Sequence, residues 1–454
     1  MTRALRPADS FLARRVGHAR FTPLGAVLAG AVILAACGGG ATTTTAPAPT
    51  DTATASPSPV GTLPPRPELP EIGFTGEVPA DHYGMHVLEV ASGVWPDVPT
   101  PSIRLWDSVT SWREIQLAPG TYDWKRLDKA VAAAEKKGAS IQYVFGPTPE
   151  WAATDIKDTD LKGPGSASPP LDLATFETFV NAVVKRYQGR IDSYQVWNEA
   201  NLTSFWRGSP DLMADMTRIV NAAVDKHDPD ALVVAASTTT RIPKTVDTFY
   251  EAYLAGLAKR NWPVDVLAVH AYPAADGTPA TRVEQISDIQ GYIKAAGAPD
   301  LPLWETEVNF GLPGPGKITV GTPLSDAEQA AWLAQAYFDA LRTGVTRVYW
   351  FAWAPKGDLL GITTYPGTAA TKAYATIQEW TAGATWQGCT QEGTLVTCAL
   401  DRKGTAESIV WVSGPRDVPS ATVKSTGEVC ALDGTCAAAT GEVTVTASPV
   451  LLRP

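Results

Sequence analysis

The sequence predicts an α/β fold, a (β/α)8 TIM barrel followed by a small C-terminal β-sandwich module that contains disulfides. Three observations carry that expectation. From about residue 80 to residue 383, eight short apolar runs alternate with amphipathic stretches at helical spacing. After Gly383 the helical spacing stops and short β-like runs take over, with four of the five cysteines among them. Before residue 80 the chain is first basic and apolar, then too poor in large apolar groups to bury a core. A doubly wound sheet would also alternate strands with helices, but would more often show fewer strands.

At the N-terminus, Arg3, Arg6, Arg14, Arg15 and Arg20 precede the apolar run Leu24–Ala36. That run has 13 residues, too few to span a bilayer as a mature helix. The order of charge, apolar run and small residues is that of an export signal. The junction Leu34-Ala35-Ala36-Cys37 resembles the bacterial lipobox. The resemblance implies that residues 1–36 are a lipoprotein signal peptide and that Cys37 becomes the lipidated first residue. The protein would then be exported and held at the outer face of a bacterial cell membrane by that lipid alone. Residues 37–79, rich in Thr, Pro and Ala, read as a disordered tether. Removing residues 1–36 takes away five Arg and one Asp, leaving 32 basic against 46 acidic residues, a net charge of −14. Nucleic acid is therefore not an expected partner, since its recognition needs clustered Lys and Arg.

The barrel is expected at residues 80–383. Its strands are read at 82–87 (HYGMHV), 102–107 (SIRLWD), 140–146 (SIQYVFG), 192–198 (DSYQVWN), 231–237 (ALVVAAS), 265–271 (DVLAVHA), 301–307 (LPLWETE) and 346–352 (TRVYWFA). A helix over Lys125–Lys137 stops at Gly138, a favoured residue just past a helix end. Another over Asp172–Tyr187 places Phe176, Phe179, Val180, Val183 and Val184 on one face. A third opens with the capping box Ser325-Asp326-Ala327-Glu328.

Residues 384–454 form the expected accessory module. With Cys37 set aside, Cys389, Cys398, Cys430 and Cys436 read as two disulfides in an exported chain. Proximity favours 389–398 and 430–436, although four cysteines allow three connectivities. No Cys-x-x-Cys pair points to zinc, and the mature histidines lie well upstream.

In a barrel of this kind, chemistry occurs at the C-terminal ends of the strands. Strand 4 delivers Asn198-Glu199 in the stretch QVWNEAN, and strand 7 delivers Glu305 and Glu307 in LPLWETEVNF. Two carboxylates facing one mouth from separate strands are what glycosidic bond cleavage needs. Side chains alternate along a strand, so Glu305 and Glu307 are expected to face the same way unless a bulge intervenes. Glu305 would lie deeper and pair with an Arg or a polar network. Trp is more frequent than Phe, 15 against 11; core packing accounts for most of these, and an indole also offers a face for a sugar ring.

Asn198-Glu199 after strand 4 and Thr306-Glu307 at the end of strand 7 resemble the clan A retaining glycoside hydrolases. The likeness runs over residues 80–382, and SIRLWDSVTSWREIQLAPGTYDWKRLDKAV is most similar to family 39, with family 5 close behind. That family includes β-xylosidases and α-L-iduronidases. The resemblance implies Glu199 as general acid/base, Glu307 as nucleophile and Asn198 as the partner of the sugar 2-hydroxyl. It places Arg104 beside the nucleophile, and His270 and Tyr272 (HAYP, after strand 6) as orienting groups. Trp350 on strand 8 would be the sugar platform, with Trp353, Trp151 and His86 as further candidates for sugar contact. The implied activity is hydrolysis of O-glycosyl bonds in a poly- or oligosaccharide by double displacement, with no cofactor and no metal. A saccharide-binding lipoprotein that has lost turnover is the alternative from another class. GLPGPGKI (311–318) has the spacing of a phosphate loop, but Ile318 stands where Ser or Thr is needed and two prolines remove amide donors. It is expected to be a loop over the mouth.

Overall fold

The computed structural model describes residues 73–312, 321–355 and 360–454. The signal peptide, Cys37, most of the tether and most of the 311–318 loop therefore lie outside the described residues. The barrel forms as expected. Strand 1 (Tyr83–Val87) pairs in parallel with strand 2 (Ser102–Leu105) and with strand 8 (Val345–Trp353). Strands 3 (Ser140–Val144) and 4 (Ser193–Gln195) follow strand 2, while strands 7 (Leu303–Val308) and 6 (Leu267–His270) follow strand 8. Strand 5 comes in two pieces. Leu232–Val234 pairs with strand 4, Thr238–Thr239 pairs with strand 6, and a parallel bridge from Val234 to Val266 closes the ring.

The strands end earlier than the apolar runs do. The run at 192–198 is laddered only over Ser193–Gln195, because the backbone leaves the sheet to turn at the mouth. Outward-facing residues such as Met85, Ile103, Ile141 and Val233 pack with the helices in the main core. The helices fall where the pattern put them. Lys125–Lys137 ends on Gly138 in the left-handed region, Leu173–Arg186 is capped by Asp172, and Asp326–Arg342 opens with the Ser325/Glu328 capping box. Val234, Val266, Ala268, Trp304 and Tyr349 make a separate cluster on the inner face, with the Arg347 guanidinium 4.0 Å over the Trp304 ring.

The accessory region is an antiparallel sheet of seven strands accompanied by the two-stranded ribbon of Ala421–Ser425 and Gly441–Val445. Cys389–Cys398 and Cys430–Cys436 are both bonded, each between directly paired residues of neighbouring strands. Trp386 and Trp411 are fully buried, each 6.0 Å from the ring of Phe338 on the Asp326–Arg342 helix. The sheet is thus packed on a barrel helix. One edge strand, Gly76–Glu77, comes from ahead of the barrel and pairs with Thr385 and Trp386. Residues 73–79, expected as the end of the tether, are therefore placed, with the Phe74 amide donating to the Leu341 carbonyl at 2.8 Å. Among the described residues, no helix is long and apolar enough to cross a membrane.

Candidate active site at the barrel mouth

Glu199 sits where strand 4 turns away from the sheet. Its φ of 43° lies in the left-handed region, which a residue with a Cβ enters at a cost of roughly 1 kcal/mol. Strand 5 holds the turn in place. The Glu199 amide donates to Ser237 Oγ at 2.9 Å, and the Ala200 amide donates to the Ser237 carbonyl at 3.0 Å. Below the turn, Trp197 is fully buried against Trp206 and lies over Gly146 at the end of strand 3. A Cβ at Gly146 would meet the Trp197 ring at 2.6 Å, and its φ of 89° also favours glycine. The aromatic core beneath therefore fixes the height of the carboxylate.

Across the mouth, Glu307 is held by two donors. Arg104 Nη1 donates to Oε2 at 3.0 Å, and the Tyr272 hydroxyl donates to Oε1 at 2.9 Å. The guanidinium is engaged on its other edges too, with Nη2 donating to Asn198 Oδ1 at 2.8 Å and Nε to Gln195 Oε1 at 2.9 Å. One arginine thus ties strands 2, 4 and 7 together around the site. His270 lies between the acids, with Nδ1 3.1 Å from Glu199 Oε1 and Nε2 3.0 Å from Thr306 Oγ1. Oxygens of Glu199 and Glu307 and a ring nitrogen of His270 all lie within 4.8 Å of one another.

Burial pushes Glu199 up to about 7, against the pull of a Thr239 hydroxyl bond and of Arg241 and Arg104, and Asp107 adds to the push. Burial also raises Glu307, with Glu199 pushing the same way and Arg104 pulling it down. Two carboxyls this close do not both ionise readily. The direct Arg104 and Tyr272 bonds favour the charge on Glu307 and leave the proton on Glu199. Burial lowers His270 to about 3, so the ring is neutral across the working range. Glu199, His270 and Glu307 make a donor set that a divalent cation can use, but the Arg104 charge already occupies Glu307.

Of the residues the sequence pointed to, Glu199, Glu307, Asn198, Arg104, His270, Tyr272 and His86 are brought together. His86 Nε2 is 3.1 Å from the Thr306 carbonyl, so its ring lies against strand 7. Glu305 corrects one expectation. It faces away from Glu307, outward, where Arg282 Nε meets its two oxygens at 2.9 and 3.0 Å with both side chains fully buried. The register of strand 7 on strand 8 shifts between Glu305 and Val308, and that irregularity breaks the alternation. Trp350 corrects another. It is fully buried among outward-facing residues, 6.4 Å from the Phe310 ring, and offers no face to a sugar. Trp353 is buried at the strand end, paired with Val87 and bridged to Thr364. Trp151 is half-buried, and its indole N–H is used on the Gln116 carbonyl at 2.8 Å.

The aromatic that strand 8 turns into the mouth is Phe351, half-exposed and edge-on to His86 at 5.0 Å. Sequence reasoning passed over it because every neighbour in RVYWFAW is also apolar, so the run does not reveal its own phase. Gln195 was passed over as well, and Thr306 was named only as the neighbour of Glu307. The cue for Gln195 was an amide inside an apolar strand, which needs a buried partner.

No family model matches the chain. Against curated proteins, it is 24% identical over 231 residues to a β-xylosidase of Geobacillus stearothermophilus. The match takes in 45% of this chain and 45% of that protein, so the chain spans less than half the length of the relative. Among solved structures, a family 39 glycoside hydrolase from Bacteroides cellulosilyticus WH2 superposes with a TM-score of 0.60 at 16% identity, covering 83% of this chain and 82% of the other. The chain shares the fold of that family 39 glycoside hydrolase. A monomeric β-xylosidase from Caulobacter crescentus CB15 gives 0.58 at 16% identity over 84% of this chain and 98% of that one. A glucosidase from Croceicoccus marinus gives 0.58 at 16% identity over 85% and 97%.

Proposed function

We propose that the protein is a retaining glycoside hydrolase of poly- or oligosaccharides, held at the outer face of a bacterial membrane through Cys37. The observation that carries the reading is the pair of buried acids whose oxygens lie within 4.8 Å, one ion-paired to Arg104 at 3.0 Å and one whose carboxyl burial pushes up to about 7. Retaining enzymes hold their carboxyl groups about 5–5.5 Å apart, whereas inverting ones leave room for a water between them. In the first step, Glu307 attacks the anomeric carbon and Glu199 gives its proton to the departing oxygen. In the second, Glu199 takes a proton from water, which displaces Glu307 from the glycosyl ester. Asn198 uses its oxygen on Arg104, which leaves its NH2 to donate to a sugar hydroxyl.

A panel of aryl glycosides, led by β-xylosides because the aligned relative is a β-xylosidase, tests the reading. Glu307→Ala should lose most turnover, and azide should restore it with inverted configuration. Glu199→Ala should retain glycosylation by activated substrates, and azide should give a product of retained configuration. If the parent turns over no member of the panel yet binds a polysaccharide, the non-catalytic lipoprotein reading replaces this one. Anchoring is tested separately. Cys37→Ser should move the protein out of the membrane fraction or stop its processing, and unchanged fractionation and maturation would overturn that part.

A further inference from the structure

We infer that Thr306 and Gln195 are positioning residues that decide which oxygen of Glu199 carries the catalytic proton. The inference rests on the glycosidase reading and concerns two fully buried side chains that are hydrogen-bonded to each other at 3.1 Å. It follows from counting donors along one buried chain of hydrogen bonds. Arg104 has only donors, so its Nε bond at 2.9 Å fixes the Gln195 amide with the oxygen toward Arg104. The Gln195 NH2 then points the other way, donating to the Ala235 carbonyl at 3.3 Å and to Thr306 Oγ1 at 3.1 Å. Thr306 Oγ1 accepts there, and we assign its own proton to its other polar neighbour, His270 Nε2 at 3.0 Å. A neutral imidazole that accepts at Nε2 carries its proton at Nδ1. That Nδ1–H is directed at Glu199 Oε1, 3.1 Å away.

The consequence is chemical. Oε1 of Glu199 accepts from His270, so that bond favours the carboxyl proton on Oε2, the oxygen His270 leaves toward the glycosidic bond; the Thr239 hydroxyl and the Arg241 charge also act on this carboxyl. With the other tautomer, Nδ1 would accept, and the Glu199 proton would be drawn to Oε1 and spent on His270. Every side chain in the relay is buried: Arg104, Gln195, Thr306 and His270 at 0–1% exposure. Water therefore does not scramble the order of donors. The relay starts on the arginine that holds Glu307 and ends on Glu199, so the two acids share one oriented chain.

Thr306→Val keeps the shape and removes the hydroxyl, and Thr306→Ser restores it. In Thr306→Val, His270 loses the donor at Nε2 and the Nε2–H tautomer becomes available. Acid assistance matters only for poor leaving groups, so kcat/KM for alkyl or unmodified oligosaccharide substrates should fall about 10- to 100-fold. For dinitrophenyl glycosides it should fall no more than a few-fold. The alkaline limb of the pH profile should move upward, and Thr306→Ser should return both readouts toward the parent. Equal losses on both substrate types with an unmoved pH limb would mean that Thr306 is only structural, and would overturn the inference. A second measurement needs no turnover. In protein labelled with 15N-histidine, with the His270 signals identified by their absence in His270→Gln, the parent should show the Nδ1–H tautomer. Thr306→Val should show a shift toward Nε2–H. An Nε2–H parent would overturn the relay even if the enzyme is active, whereas a parent inactive on the whole panel with an Nδ1–H His270 would overturn only the glycosidase reading.

Discussion

Glu199 combines three properties that rarely meet by accident: a left-handed backbone, an exposure of 8% and a carboxyl pushed up to about 7 by burial. The ordinary value is 4.5, so the folded protein favours the protonated acid. The stability this group contributes is full below about pH 4.5 and is lost as pH rises through about 7. In the proposed mechanism the same titration removes the general acid, so kcat/KM on unactivated substrates should fall above about pH 7. Glu199→Gln cannot ionise, and its melting temperature should exceed the parent's at pH 8 by an amount that shrinks toward pH 5. The gain at pH 8 is on the order of 3 kcal/mol, the shift from 4.5 to about 7 converted at about 1.4 kcal/mol per unit. A pH-independent difference, or an alkaline limb near pH 5, would contradict this. The two acids were legible at this scale: Glu199 and Glu307 each stand at a strand end, where a carboxylate interrupts an apolar run. Arg104, His270 and Tyr272 were named only through the family resemblance, and the structure brings them to the same mouth. Glu305 was only half legible: its pairing with an Arg follows from burial of a charge, but its direction depends on a register shift that no pattern of residues announces.

Strands 7 and 8 show how an element transmits its phase. Where polar and apolar residues alternate, as in SIRLWD, the pattern carries the inward phase, and Arg104, which the resemblance put beside Glu307, lies on that inward face. Where both faces are apolar, as in VTRVYWFAW, the pattern carries no phase, and the nearest Trp was taken for the one at the mouth. The two neighbours should separate cleanly. Trp350→Phe should lower stability by about 1–3 kcal/mol with little change in KM, since the ring sits in the core. Phe351→Ala should instead lower kcat/KM by about tenfold through lost contact with the sugar ring, with a smaller change in melting temperature. Denaturant unfolding and Michaelis kinetics on the two variants check both statements, and the opposite assignment of effects would restore Trp350 as the platform.

At the scale of the whole molecule, the barrel and the accessory sheet share a buried aromatic seam. Phe338 stacks on Trp380 and on Trp386, with Trp411 alongside, and Gln335 Nε2 donates to the Ala447 carbonyl. A chain ending at Gly383 should therefore expose Phe338 and Trp380 and fail to give a soluble monomer with native near-ultraviolet dichroism. A truncated protein that unfolds cooperatively with the parent's activity would sink this. The texture change after Gly383 made the module visible in the sequence. Its dependence on the barrel was not visible, because a buried Trp on a strand reads the same whether it faces its own sheet or a neighbouring helix.

The edge strand Gly76–Glu77 gives that seam a further meaning. The segment ahead of the barrel and the last strand of the chain, Val450–Arg453, belong to one sheet, and the barrel is the long excursion between them. Recombination that trades catalytic cassettes between genes relies on joints where a break leaves two self-sufficient pieces. Here a crossover at the barrel's end would separate Thr385 and Trp386 from their partners Glu77 and Gly76. The two parts would therefore be inherited as one unit, and change in either would have to be matched by change in the other.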